Sequence, residues 1–210
     1  MSASKQSPAP ITPPRLTFNH IRQQAENFRQ QHVKPLTLVP VPMEDVVELD
    51  LKIQIIPIIG LHGRIDVDGF LTNNLKAICV DYDMYMDERR SSRLRFTLAH
   101  EVGHLVLHKE QIQQCRFRTP EDWIHFREDF TEDDLNWFEV QVNEFAGRLL
   151  VPKEELEQQI RSRSDEIRTF KERFPDSSDL NEAISRVICG HFGVSDQVIF
   201  RRISKEKIRL

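Results

Sequence analysis

Arg95-Phe96-Thr97-Leu98-Ala99-His100-Glu101-Val102-Gly103-His104-Leu105-Val106-Leu107-His108 is the stretch on which the fold and the chemistry turn. Within it His100, Glu101 and His104 form the pattern H-E-x-x-H. Residues four apart on a helix leave the same face, so both imidazoles can grip one Zn²⁺. Glu101 beside them can take a proton from a zinc-activated water and later give it to a leaving amine, the division of labour of a metallopeptidase. Leu98, Ala99, Val102, Leu105, Val106 and Leu107 wrap the pattern in apolar residues, which predicts a core helix with its polar side chains turned toward a cavity. Two histidines and a carboxylate are costly to bury without a partner, and this sets a metal site above a merely structural histidine pair. Gly103 costs a helix interior about 1 kcal/mol relative to Ala, so it predicts close approach by another segment. His108 stands four residues after His104, but Leu105 rather than Glu follows His104. It reads as a helix C-terminal residue whose charged form suits the dipole.

A catalytic zinc takes three protein ligands and keeps one position open, so a third ligand must come from elsewhere. The segment Leu135–Pro152 carries Phe138, Val142, Phe145, Ala146, Leu149 and Leu150 at helical spacing and stops at its proline. Glu139 and Glu144 are its candidate ligands, with Asp134 behind them. Asn143 follows Glu139 by one helical turn on the same face, where its side-chain oxygen can accept an imidazole N–H. Glu144 stands about 140° from Glu139 around the helix, toward the polar side and without such a companion.

The chain has 210 residues, is 39% hydrophobic and contains 13 Phe, enough for one sizeable core with an appended segment. A formal net charge of −4 excludes a generally basic nucleic-acid binder and leaves room only for a local patch. Cys79, Cys115 and Cys189 make no C-x-x-C, and no apolar signal region opens the chain. Both features point to a reducing, cytoplasmic setting without a cysteine zinc site. No run approaches the ~18 apolar residues of a membrane span, so no membrane partner is expected.

Residues 1–15 are rich in Ser and Pro and predict a disordered tail, and Thr17 to Val33 predicts an amphipathic helix. Strands are expected over Lys52–Ile59, around an Asp68-Gly69 turn, and over Lys76–Tyr82. The last of them would form the cleft edge on which a peptide could lie. Asp83 to Arg93 reads as a solvated charged loop, and Lys109 to Leu135 as a lid, with a helix start at Thr119–Trp123. Tyr82, Tyr85, His108 and the arginines ahead of the motif are the candidates for stabilising an oxyanion.

The motif stretch, followed by Glu139-x-x-x-Asn143-x-Phe145-Ala146-x-x-Leu149-Leu150-Val151-Pro152, resembles the ImmA/IrrE family of zinc metallopeptidases. The likeness reaches back through Asp68-Gly69-Phe70-Leu71 and Ile78-Cys79-Val80-Asp81 and covers residues 40–152. It implies a compact zincin-like α+β domain, in which a small three-stranded sheet packs on the H-E-x-x-H helix and a second ligand-bearing helix. It also implies bound zinc, a cytoplasmic location and cleavage of helix-turn-helix transcriptional repressors, often encoded nearby on mobile elements. His100, His104 and Glu139 fall on the family's metal-ligand positions and Glu101 on its catalytic one. Val142 stands where the family commonly has Ala, and Val151 where it commonly has Met.

The expected organisation is a tail over 1–15, a zincin-like metallopeptidase domain over 16–152 and a C-terminal helical segment over 153–210. Phe192 to Ile203 resembles the turn and second helix of a helix-turn-helix unit, with Ser195 as its cap. DNA contact there would run through Arg201, Arg202, Lys205, Lys207 and Arg209. The favoured reading is a helical pair packed on the core, because only Asp196 and Gln197 stand near the base-reading end. The alternative to a peptidase is a DNA-binding or antitoxin-like regulator that uses the same fold as a sensor or interaction module. An intact H-E-x-x-H argues against it.

Overall fold

The structure, a computed structural model, describes residues 11–114, 122, 126, 130–173 and 176–208. In chain order, α1 (Phe18–His32) leads to a short α2 (Met43–Asp45) continued by a π turn, then β1 (Gln54–Ile58), α3 (Leu61–Ile65), β2 (Gly69–Leu71), β3 (Ala77–Asp81) and α4 (Tyr82–Met86). There follow α5 (Ser91–Leu107), α6 (Lys109–Gln114), α7 (Glu132–Leu150), α8 (Lys153–Ser162), α9 (Ser164–Arg173), α10 (Ser177–Phe192) and α11 (Asp196–Glu206). The architecture is α+β and zincin-like: a small mixed sheet, a pair of crossed central helices and further helices C-terminal to them.

The sheet has the order β1-β3-β2, with β1 parallel and β2 antiparallel to β3. β3 is therefore the central strand, buried at all five positions, and not the cleft edge that its alternation suggested. The strand beside α5 is β2. Asp68-Gly69 is not a turn either, because Gly69 opens β2. A Cβ there would come within 2.8 Å of both the Cys79 carbonyl oxygen and Thr97 Cγ2, so only glycine lets this strand lie against β3 and α5 together. The real β2–β3 turn is at Thr72–Lys76, where Asn74 Oδ1 accepts the Lys76 N–H at 2.9 Å and Leu75 takes a φ of +60°. Helix α3, introduced by Gly60 at a φ of +69°, is too short to announce itself by periodicity.

Helix α7 begins at Glu132, ahead of the expected Leu135, because Thr131 accepts the Asp134 N–H at 3.2 Å and three acidic residues fill the first turn. α5 and α7 cross at Gly103. A Cβ on Gly103 would meet Val142 Cβ at 3.1 Å and Phe145 Cδ1 at 3.2 Å, which is the close approach its presence predicts. α1 lies along α7, burying Ile21, Ala25 and Phe28, with the Phe28 and Phe145 rings edge to face at 6.0 Å. Arg29 is buried and donates to the carbonyls of Leu36, Leu38 and Leu149, with all contacts at 2.6–2.8 Å. It ties the chain after α1 to the otherwise unpaired C-terminal carbonyls of α7. Burial pushes its guanidinium down to about 10, against the opposing pull of Glu155.

Residues 1–10 of the expected tail lie outside the described residues, as do residues 115–121, 123–125 and 127–129 of the expected lid, including Thr119 and Trp123. Residues 11–15 are not free. Ile11 is buried and Arg15 pairs with Asp134 at 2.6 Å, so an apolar contact and an ion pair hold them to the body.

At the C-terminal end, Gly193 closes α10 at a φ of +59° and Ser195 stands at the N-cap of α11 without a side-chain cap bond. Arg202 is buried, donating to the Val151 carbonyl at 3.2 Å and to Glu206 at 2.8 Å. Lys205 pairs with Glu144. Two of the five basic residues considered for DNA are thus engaged with the body, and Arg209 lies outside the described residues.

Gly103→Val is expected to force α5 off α7 and to lower stability by about 1–3 kcal/mol, the usual cost of overpacking. Thermal unfolding of the two proteins checks it; an unchanged midpoint would remove the crossing as a constraint.

Candidate metal centre

The crossing sets the donors. His100 and His104 project from one face of α5, with ring centroids 5.0 Å apart, and Glu139 reaches them from α7. His100 Nε2 lies 3.1 Å from one Glu139 oxygen and His104 Nε2 3.8 Å from the other. One ligand atom from each of the three falls within 4.8 Å of the others, and no other such group of three occurs among the described residues. Asp134 pairs with Arg15 and lies outside this group.

Glu144, the rival third ligand, is turned away from the site. It is not on a polar side, however: it is buried, accepts from Arg148 at 2.6 Å and pairs with Lys205. Arg148 continues to Glu206 at 2.6 Å, so α7 presents donors to the site on one face and a buried ion cluster to α11 on the other. The sequence hides this because Lys205, which meets Glu144 from outside its own helix, lies far along the chain.

Each donor histidine is held from behind. Asn143 Oδ1 lies 3.3 Å from His100 Nδ1, on the face expected of it. His104 Nδ1 lies 3.2 Å from His108 Nδ1. His108 is therefore not a charged residue at a helix end. It is fully buried and stacked on Phe138 at 4.1 Å, and burial pushes it down to about 3 despite the hydrogen-bonding side chain of Gln141. Burial, then the charge of His100 and of His108, holds His104 well below the ordinary histidine value, in the neutral form a ligand needs. Burial lowers His100 as well, but the Glu139 carboxylate overrides it and raises His100 to about 9. Without a cation, a proton fills the gap between these donors.

Glu101 is buried beside them and accepts the Leu71 N–H of β2 at 2.8 Å. Burial pushes its carboxyl up to about 8; His100 opposes this, Glu139 adds to it and the Leu71 N–H lowers it. A carboxyl poised near neutrality is suited to passing protons. Burial, with Glu101 adding to it, pushes the Cys79 thiol up to about 11, so it offers no thiolate to a metal at neutral pH.

His100, Glu139 and Glu101 line a cavity of about 460 Å³ together with Phe96 and Leu135, while His104 is buried behind them. Its mouth carries His62, Asp68 and Arg93, with Arg93 bidentate to Asp68 at 2.6 Å and His62 Nδ1 3.1 Å from the same carboxylate. Arg93 is thus a rim residue on α5 rather than part of a solvated loop. Arg95 is not solvated either: it donates to the Gly193 carbonyl at 2.6 Å and to Val41 at 3.1 Å. Of the oxyanion candidates, Arg93 lines the cavity and Tyr82, Tyr85 and His108 do not. His62 was missed, and its only signal in the sequence was a histidine between two glycines.

The family model for Peptidase_M78, the IrrE N-terminal-like domain, matches residues 65–180, which include every residue of the donor group and Glu101. No curated protein matches the chain. A match over more than half the chain, together with a converging donor group of which His100 and Glu139 line the cleft, leads to one conclusion: the chain belongs to the IrrE N-terminal-like domain family, and its function is of the metallopeptidase type.

Proposed function

We propose that the chain is a zinc endopeptidase of the cytoplasm that cuts a helix-turn-helix transcriptional repressor by water attack on a peptide carbonyl. The observation that carries this reading is the convergence of His100, His104 and Glu139 on one point, with Glu101 lining the same cavity as His100 and Glu139. Two imidazole nitrogens and one carboxylate oxygen, open on one side to a cleft, fit a catalytic zinc. When bound, zinc polarises the peptide carbonyl and makes water a nucleophile at neutral pH.

The chain's residues do the rest. Glu139 supplies the negative charge that favours a cation, and Asn143 orients His100. The Leu71 N–H holds one Glu101 oxygen, leaving the other to take the proton of the attacking water and hand it to the leaving amide nitrogen. The cleft mouth joins α3, β2 and α5, so a polypeptide has an open way in. The repressor as substrate is drawn from the likeness to the ImmA/IrrE family. No described helix is long and apolar enough to cross a membrane. The regulator alternative has less support, since Arg202 and Lys205 of its DNA face are engaged with Val151, Glu206 and Glu144.

Incubating the zinc-loaded protein with a candidate repressor tests the proposal, with cleavage read by mass spectrometry. Glu101→Gln is expected to keep its metal and lose about 10²–10⁴-fold in rate. Glu139→Ala should lose metal and activity together. A wild-type rate in Glu101→Gln would sink the proposed role.

Glu144→Ala is expected to retain the metal yet lose up to about 3 kcal/mol of stability, because Lys205 is left unpaired and Arg148 keeps only Glu206. Metal content and urea unfolding together distinguish this from Glu139→Ala; zinc loss from the Glu144 variant alone would reassign the third ligand.

His100 holds its proton up to about pH 9 in the metal-free protein, and a metal must displace it. Zinc uptake at pH 7 should therefore release about one to two protons, the first from His100 and the second from Glu101 as the cation ionises it, and affinity should fall about ten- to a hundredfold per unit of acidification. Calorimetry in buffers of different ionisation enthalpy measures the release; an uptake without protons would place the metal elsewhere.

A further inference from the structure

A neutral histidine carries one proton on two nitrogens, and only the bare nitrogen can take a metal. In His104 that nitrogen must be Nε2, which faces Glu139, so the proton must sit on Nδ1. Nδ1 is 3.2 Å from His108 Nδ1. A bond between two imidazole nitrogens needs one protonated and one bare partner, and it can run in either direction. Run one way, it leaves His104 Nε2 bare. Run the other way, it puts the His104 proton on the metal side and blocks the site.

The direction is set further out. Among the described residues, His108 Nε2 and Gln141 Oε1 are both buried and without a hydrogen-bond partner, whereas buried polar atoms in proteins are nearly always paired. Gln141, itself fully buried on α7, lies close enough to act on His108, although its oxygen and His108 Nε2 do not meet at hydrogen-bond geometry. Its amide nitrogen is committed to the Trp137 carbonyl at 3.3 Å, which leaves the oxygen as the end available to His108. An oxygen can only accept, so it requires the proton of His108 on Nε2 and leaves His108 Nδ1 bare.

We propose that Gln141 and His108 are positioning residues that fix the tautomer of His104. Gln141 Oε1 accepts from His108 Nε2–H, His108 Nδ1 accepts from His104 Nδ1–H, and His104 Nε2 is bare toward Glu139. The arrangement satisfies both orphaned atoms at once. It backs His104 with a neutral acceptor, as Asn143 backs His100, so neither histidine has a second carboxylate behind it in the buried floor. The role rests on the metallopeptidase reading above, because a bare Nε2 matters only if a cation is bound there.

Two measurements test it. The first is ring-nitrogen NMR of the metal-free protein labelled with ¹⁵N-histidine, which should show His104 protonated at Nδ1 and His108 at Nε2. The reverse pattern overturns the relay without reference to any metal. The second is zinc affinity by competition with a chromophoric chelator. His108→Phe keeps a ring against Phe138 but offers no acceptor, and it should bind zinc about 10–100-fold more weakly. His108→Gln, whose amide oxygen can accept, should recover part of the loss. Should His108→Phe fail to fold, Gln141→Met, which touches no donor, should still weaken binding. Unchanged zinc affinity in Gln141→Met and in a folded His108→Phe overturns the relay alone, whereas a wild-type chain that takes up no zinc overturns the metallopeptidase reading.

Discussion

The contact on which the rest depends is the crossing of α5 and α7 at Gly103. With hydrogen in place of a side chain, the two helices approach until Gly103 lies against Val142 and Phe145. His100 and His104 stand on either side of that glycine, and Glu139 and Asn143 on either side of Val142. The packing that fills the core is therefore the packing that brings the donors together. A larger residue at the crossing would act on the metal centre without touching it.

Helix α7 answers two demands at once. One side offers Glu139 and Asn143 to the histidines of α5, and another buries Glu144 and Arg148 against Glu206 of α11, which also pairs with Arg202. Buried ion pairs add little net stability because desolvation offsets the attraction, but they tolerate only one arrangement of partners. Together with Arg29 at the C-terminal end of α7, they hold the angle and depth of the helix that carries the third donor. The C-terminal helices have a physical role as its brace.

The floor of the cavity shows how a protein keeps ionisable groups in its interior. Among the donors, one negative carboxylate faces two imidazoles, and the outer positions are filled by neutral acceptors rather than further charges. Glu101 is buried next to them, with a single backbone N–H from β2 for company. Such a group cannot stay ionised cheaply on its own. A cation among the neighbouring donors makes its charge affordable, which links the acid–base chemistry of Glu101 to metal occupancy.

The sequence by itself determined the motif helix, the helix that carries Glu139 and Asn143 a turn apart, the count of strands and the family. These are local: one- and four-residue spacings on a helix place side chains on a face whatever the rest of the chain does. Other features were decided only by tertiary structure. β3 is central because β1 and β2 flank it, and no alternation within a strand says which neighbours it has. His108 is neutral because it is buried against Phe138, although its position at a helix end and the side chain of Gln141 both favour charge. Glu144 is buried because Lys205, sixty-one residues later, comes to meet it. Charge state and burial depend on residues distant in sequence, and that is where local reading ends.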